Sequence, residues 1–106
     1  MIDIPVSVVV VSRDRPGALL RCLTGLSQLQ YPNFEIVVVA DAKGQQAVVA
    51  SQFSSLIKCI GFDLPNISEA RNLGISHAAG DIVAFIDDDA VPEPSWLTFL
   101  VAPAAR

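Results

Sequence analysis

Runs of consecutive apolar residues alternate along the chain with segments in which apolar residues recur every three or four positions. Val6 to Val11 is β-branched apart from one serine, a composition typical of a central parallel strand covered on both faces. Three further runs predict strands over Phe34 to Ala40, Leu56 to Gly61 and Ile82 to Ile86, with the Leu56 to Gly61 strand at a sheet edge. The alternation predicts an α/β fold, a Rossmann-like parallel sheet of about four strands flanked by helices.

The segments between the predicted strands have helical spacing. Leucines that follow Pro16 predict a first helix of about three turns, and residues 43–54 predict a short second helix. Either Asn66 or Ser68 can cap a third helix, and we expect Gly80 to end it. Each helix then connects two strands of one parallel sheet, and nothing in the sequence marks a domain boundary.

The C-terminal segment predicts one more amphipathic piece. Residues 95–101 carry Trp96 and Phe99 on one face, where we expect them to pack in the core or cover a crevice; stacking on a sugar is the alternative. The Ala/Pro-rich tail from Ala102 is expected to fray.

Composition and charge restrict the class of protein. With 106 residues, 52% of them hydrophobic and 17% charged, the chain is a single folded domain rather than a disordered segment. A net charge of -4 argues against nucleic-acid binding, which needs a basic surface. No apolar run is long enough to span a membrane. Cys22 and Cys59 are expected to be buried free thiols, which fits a reducing cytoplasm.

Polar clusters follow three of the predicted strands. Ser12 to Arg15 come after the first, Asp41 after the second, and Asp87 to Asp89 after the fourth. Ligands of open parallel sheets bind beyond the carboxyl ends of the strands. If the first and fourth strands are neighbours, these clusters converge on one crevice.

The residue types in these clusters are those of a metal and phosphate site. Adjacent aspartates repel one another, and Mg²⁺ or Mn²⁺ would relieve that repulsion; a solvated acidic turn is the alternative. Arg13, Arg15 and Arg71 offer guanidinium groups that match phosphate oxygens, unless they only form surface ion pairs. Asp41 can accept hydrogen bonds from a base imide or a ribose hydroxyl, or can simply be a polar strand end.

Other chemistries lack their signatures. The sequence contains no P-loop, no dinucleotide-binding glycine motif after the first strand and no nucleophile elbow. A phosphorylated response-regulator-like domain would need its aspartate after the first strand, whereas the cluster follows the fourth. His77, the single histidine, is expected on a helix surface rather than in catalysis.

Three segments resemble the family 2 glycosyltransferases of the GT-A fold: VSVVVVSRDRPGALLRCLTGL, NFEIVVVAD and ISEARNLGISHAAGDIVAFIDDDAVPEPSWL. The last carries that family's Asp-x-Asp motif. The resemblance implies that Asp41 contacts the base, Arg71 the base or phosphates, Asp87 and Asp88 the ribose side, and Asp89 the metal. It further implies that Ser12 and Asp14 line the nucleotide pocket and that Arg13 stands where the family often has a base-stacking tyrosine.

The resemblance also implies a function and its missing parts. The expected ligand is a nucleoside-diphosphate sugar, with a UDP-sugar favoured, bound with Mn²⁺ or Mg²⁺, and the expected reaction is inverting transfer to an unidentified glycan or lipid acceptor. The family's acceptor-binding half and general base would lie beyond residues 1–106, so no catalytic residue is assigned and binding is expected to exceed turnover. The expected location is the cytoplasm, with the inner face of the membrane as the alternative for the parent protein.

A noncatalytic or truncated nucleotide-binding or interaction module is the alternative. It predicts metal-dependent nucleotide affinity without sugar transfer. Truncation would also leave a sheet edge or an apolar face uncovered, and a homodimer would then form through that surface.

Overall fold

The strands and helices follow the sequence pattern closely. The computed structural model describes residues 3–103, so the last three residues of the tail that was expected to fray lie outside it. In chain order the elements are β1 Val6–Ser12, α1 Pro16–Leu26, β2 Phe34–Ala40, α2 Ala42–Ala50, a 3-10 turn Ser54–Leu56, β3 Ile57–Gly61, α3 Ile67–Ser76, β4 Ile82–Asp87 and α4 Trp96–Val101.

All four strands form one parallel sheet in the order β3-β2-β1-β4. This confirms the predicted α/β class. β1 lies beside both β2 and β4, with Ser12 opposite Ala40 and Val11 opposite Asp87. The adjacency of β1 and β4, on which the predicted convergence depended, is therefore met, and the polar segments that follow these three strands lie at one edge of the sheet.

The two faces of the sheet are covered by different helices. On one face Val8, Val10 and Val38 are fully buried in a cluster with leucines of α1 and with Leu97 of α4. On the other face α3 approaches so closely that a Cβ atom on Gly74 would meet Cγ1 of Val9 at 2.5 Å. Burial on both sides explains why β1 and β2 are almost wholly apolar.

The amino ends of the strands are joined by one carboxylate, at the edge opposite the polar clusters. Glu35 of β2 accepts hydrogen bonds from Ser7 Oγ of β1, from the backbone N–H of Ala79 at 2.6 Å and from Lys58 Nζ of β3 at 2.8 Å. Burial alone would raise the pKa of Glu35, but these hydrogen bonds outweigh it and lower the pKa to about 2. The charged form of Glu35 therefore stabilises the fold.

The helix termini differ from the sequence prediction at α3. Of the two possible caps, Asn66 is the one used, because its side chain accepts the N–H of Glu69 at 3.1 Å. The helix ends at Ser76 with His77 as its C-cap, so the prediction that Gly80 ends it is wrong. Gly80 is instead required by tertiary packing, since a Cβ there would lie 2.7 Å from the backbone nitrogen of Ser7.

Two burial predictions also need correction. Phe99 is 75% exposed, whereas Trp96 is partly buried against the core, because the short helix α4 turns only one side, which carries Leu97 and Val101, to the core. Cys59 is exposed because β3 is an edge strand, while Cys22 is buried as predicted. Burial raises the pKa of the Cys22 thiol to about 11.

Within residues 3–103, the helices are all too short or too polar to cross a lipid bilayer.

Candidate nucleotide and metal site

Two adjoining clefts open at the carboxyl edge of the sheet. The first has a volume of about 240 Å³ and is lined by Ser12, Asp88 and the segment between β3 and α3. The second has a volume of about 320 Å³ and is lined by Asp14, Asp41 and the start of α2. Arg13 lines both clefts and lies between them.

Asp88 is the buried centre of the first cleft. Its side chain is 2% exposed, and its two oxygens have different partners. Oδ2 accepts a hydrogen bond from Ser12 Oγ at 2.9 Å, and Oδ1 pairs with Nη2 of Arg15 at 2.9 Å. Nη1 of Arg15 lies 3.7 Å from Oδ2 of Asp89, whose side chain is 60% exposed. One guanidinium thus bridges a buried and an exposed carboxylate.

Asp41 is held rigidly beside the second cleft. It is 7% exposed, and its Oδ1 caps α2 by accepting the N–H of Gly44 at 3.0 Å. Its Oδ2 accepts the N–H of Asp14 at 2.8 Å. Asp14 has a φ of 60°, a left-handed conformation that aspartate tolerates better than most residues. Asp41 therefore fixes the loop after β1 as well as ending β2.

Two exposed ion pairs border the second cleft. Lys43 Nζ lies 2.9 Å from Oδ1 of Asp14, and this hydrogen bond holds the pKa of the Asp14 carboxyl below its usual value. Arg13 Nε lies 3.0 Å from Oδ1 of Asp63, in the segment that follows β3. Both cations are at least half exposed, so these pairs can open to admit an anionic ligand at little cost.

Arg71 and Asp87 line neither of the two clefts. Both line a third pocket of only about 20 Å³ between α3 and β4. The guanidinium of Arg71 stacks over the ring of Phe85, 5.6 Å from its centroid. The structure thus brings together Ser12, Arg13, Asp14, Asp41 and Asp88, and it leaves Arg71 and Asp87 on the α3 side of β4. Their roles in donor binding stay predictions.

The acidic cluster fits a divalent cation only if substrate phosphates and water supply the remaining ligands. Within the described part of the chain, no three histidine, cysteine or carboxylate side chains converge closely enough to hold a metal ion. Asp88 already has Ser12 and Arg15 as partners, whereas Asp89 presents an exposed carboxylate beside the first cleft. Mg²⁺ and Mn²⁺ are commonly held by one or two carboxylates together with substrate phosphates and water, so Asp89 suits that arrangement.

The structure adds site residues to which the family resemblance assigned no role. Arg15 is one of them, because its guanidinium contacts both Asp88 and Asp89. The others are Lys43 and Asp63, which line the second cleft, and the apolar wall that Phe62 and Leu64 form in the first. A charged or aromatic residue directly after β2 or β3 was the available signal, because those positions share the carboxyl edge with Asp41.

Comparison with known proteins decides the family. The sequence pattern of "Glycosyl transferase family 2" matches residues 7–106. The chain belongs to that family. The chain is 32% identical over 108 residues to the O-antigen biosynthesis protein RfbC of Myxococcus xanthus, and the alignment covers 8% of that protein. It is 34% identical over 96 residues to the amylovoran biosynthesis glycosyltransferase AmsB of Erwinia amylovora, which it covers to 32%. These alignments include 95% and 84% of the chain.

Solved structures of glycosyltransferases show the same fold. Residues 1-349 of S. aureus TarS superpose with a TM-score of 0.80 at 23% identity, over 92% of this chain and 31% of that TarS fragment. The mannosyltransferase PcManGT from Pyrobaculum calidifontis, solved in complex with GDP-Man and Mn²⁺, superposes with a TM-score of 0.80 at 24% identity, over 92% of this chain and 33% of its own. The chain thus spans a third or less of these family 2 relatives and neighbours.

Proposed function

We propose that this chain is the donor-binding half of a metal-dependent glycosyltransferase. In this proposal, residues 1–106 bind a nucleoside-diphosphate sugar, and an acceptor-binding half that lies outside them completes the enzyme. The observation that carries the proposal is the meeting of carboxylates and guanidinium groups at the carboxyl ends of β1, β2 and β4. Family membership supports the same reading.

The two clefts suit the two ends of a nucleoside diphosphate. Arg13 and Arg15 provide planar cations that match phosphate oxygens, and they flank the first cleft together with Asp88. Asp41 adjoins the second cleft, where spare lone pairs on its carboxylate oxygens can accept a base imide or ribose hydroxyl. Because its oxygens are already oriented by two backbone N–H groups, Asp41 would bind such a group without first becoming ordered.

A UDP-sugar is the favoured donor. One rigid carboxylate at the second cleft is enough to recognise the single imide N–H of uracil. A guanine nucleotide sugar is the alternative donor. TarS has been solved with UDP-GlcNAc and with UDP, whereas PcManGT has been solved with GDP-Man. The arginine at position 13 offers donors that also match guanine acceptors, so the test must include both nucleotides.

In the proposed reaction an acceptor hydroxyl oxygen attacks the anomeric carbon of the sugar. The bond between that carbon and the diphosphate oxygen breaks, the configuration inverts, and the proton of the hydroxyl passes to a general base outside these residues. A bound Mn²⁺ or Mg²⁺ would stabilise the charge on the departing diphosphate. Asp89 would hold the ion, while Arg13 and Arg15 orient the diphosphate and Ser12 keeps Asp88 in place.

The biological setting follows from this chemistry. Nucleotide sugars are the expected cytoplasmic donors, and a glycan or lipid hydroxyl is the expected acceptor. We therefore place the parent protein in the cytoplasm or at the inner face of the membrane.

Calorimetric titration tests the proposal. UDP and GDP are titrated into the wild-type chain with and without Mn²⁺, and the titrations are repeated with Asp89→Ala. Asp81→Ala is the matched control, because Asp81 is an exposed aspartate at the opposite end of β4. We expect one nucleotide to bind far more tightly with metal than without it, and we expect this gain to be lost in Asp89→Ala but kept in Asp81→Ala. Folded wild-type protein that binds neither nucleotide under any metal condition would refute the donor site.

Turnover separates an enzyme from a binding module. Metal-dependent binding without release of nucleoside diphosphate from a sugar donor would favour the noncatalytic alternative for the isolated chain. Transfer or hydrolysis of the donor by the chain itself would exclude that alternative.

A further inference from the structure

Arg15 occupies the position of a counter-ion within the acidic cluster. Its Nη2 lies 2.9 Å from the buried Asp88, and its Nη1 lies 3.7 Å from the exposed Asp89. The two contacts use different nitrogens of one planar group, so the positive charge lies between the two carboxylates. This guanidinium supplies to Asp88 and Asp89 a neutralising charge of the kind that a divalent cation brings.

The two contacts differ in strength. Asp88 is 2% exposed and has Ser12 as its second partner, so its pair with Arg15 is short and shielded from water. The contact with Asp89 is longer, and both of its side chains are more than half exposed, so solvent screens it. Asp89 can therefore exchange its partner, while Asp88 retains the arginine.

A metal ion at Asp89 would lie beside the guanidinium, and the two like charges would repel each other. Metal binding on its own is thereby weakened. A diphosphate removes the conflict because its oxygens can pair with the guanidinium and bind the metal at the same time. Arg15 is 58% exposed and lines the first cleft, so Nη1 can pair with such a ligand while Nη2 stays on Asp88.

We propose that Arg15 is the residue that makes metal binding and nucleotide binding depend on each other. It competes with the divalent cation for Asp89 in the free chain and pairs with the diphosphate in the loaded chain. This inference rests on the proposed function and adds a coupling residue to it. By thermodynamic linkage, the factor by which metal tightens nucleotide binding must equal the factor by which nucleotide tightens metal binding.

The test measures three of the four binding steps in Arg15→Gln, and thermodynamic linkage gives the fourth, the binding of Mn²⁺ to the nucleotide-loaded chain. Mn²⁺ alone is titrated by electron paramagnetic resonance, and UDP or GDP is titrated by calorimetry with and without Mn²⁺. Arg21→Gln is the control, because Arg21 is an exposed arginine of α1, the helix that begins directly after Arg15, and its removal changes the net charge equally. Circular dichroism verifies that each variant is folded.

Opposite changes are expected in the two affinities. Without the competing charge, Arg15→Gln binds Mn²⁺ alone more tightly than wild type, by about threefold to tenfold. It binds the nucleotide in saturating Mn²⁺ more weakly, by about tenfold or more, because a charged hydrogen-bond partner is lost. The coupling factor falls in Arg15→Gln and is unchanged in Arg21→Gln.

Arg15→Lys keeps the inference testable if the glutamine variant does not fold. A single ammonium can pair with the buried Asp88 but cannot bridge to Asp89, so Mn²⁺ alone again binds more tightly than in wild type, with a smaller gain. Unchanged or weaker binding of Mn²⁺ alone in a folded variant, or an unchanged coupling factor, would overturn the role of Arg15 and leave the donor site standing. A wild-type chain that binds no nucleotide would overturn both proposals.

Discussion

Replacing Glu35 by glutamine tests the account of how the strands are held together at the amino end of the sheet. The carboxylate accepts hydrogen bonds from β1, from β3 and from the backbone before β4, and its side chain is only 24% exposed. The pKa of Glu35 falls from 4.5 to about 2 on folding. The difference corresponds to at most about 3 kcal/mol, and solvent screening reduces our expectation to about 1–2 kcal/mol.

The sign of the pH dependence follows from the lowered pKa. A carboxylate whose pKa is lower in the folded state contributes its full stability above its unfolded pKa of 4.5 and loses it as the pH falls towards about 2. Glu35→Gln should therefore be less stable than wild type at pH 7 by about 1–2 kcal/mol, and the difference should shrink by more than half at pH 3.

Urea unfolding followed by circular dichroism at pH 7 and pH 3 measures this difference. Glu93→Gln is the control, because it removes one carboxylate from an exposed position. We expect the control to lie within about 0.5 kcal/mol of wild type at both pH values. A Glu35→Gln variant as stable as wild type at pH 7, or one whose deficit is the same at pH 3, would refute the reasoning.

Three further predictions concern backbone packing, thiols and the loop after β1. Gly80→Ala should destabilise the chain by about 2 kcal/mol or more in urea unfolding, because its Cβ meets the backbone of β1. Gly17→Ala in helix α1 should be neutral or stabilising, and equal effects of the two substitutions would contradict the close packing at Gly80. An aromatic disulfide reagent at pH 8 should modify the exposed Cys59 rapidly. Cys22, whose pKa is raised to about 11, should react only on unfolding, and rapid reaction of both thiols would contradict the burial of Cys22. Asp41→Ala should cost about 1–2 kcal/mol of stability through the lost helix cap and should also weaken nucleotide binding; a change in stability with unchanged binding would limit Asp41 to its structural role.

The sheet was predictable because its strands are unusually uniform. β-branched residues dominate the runs over β1 and β2, so the type of these elements and their bounds to within a residue can be predicted from local pattern alone. The meeting of Ser12, Asp41 and Asp88 depended on one tertiary fact, the adjacency of β1 and β4, which the sequence could state only as a condition.

The errors arose where tertiary contacts override local preference. Gly80 has the residue type of a helix C-cap, but it is present because β1 leaves no space for a side chain. Cys59 follows the pattern of a strand, yet an edge strand is covered less than a central one. Arg13 and Arg15 are alike in sequence, and the left-handed backbone at Asp14 between them directs one to Asp63 and the other to the aspartate cluster.

The central claim is that a nucleoside diphosphate and a metal ion bind together at the carboxyl edge of the sheet. The most direct test is a ¹H–¹⁵N nuclear magnetic resonance titration of the labelled chain with UDP and Mg²⁺, repeated with a trace of Mn²⁺. We expect the amide resonances of residues 12–15, 41–44, 61–67 and 87–90 to shift, and those near Glu35 and Ala79 to stay unchanged. Line broadening by Mn²⁺ should be centred on Asp89. Shifts confined to the opposite edge, or nucleotide shifts that do not depend on metal and leave residues 87–90 unchanged, would contradict it.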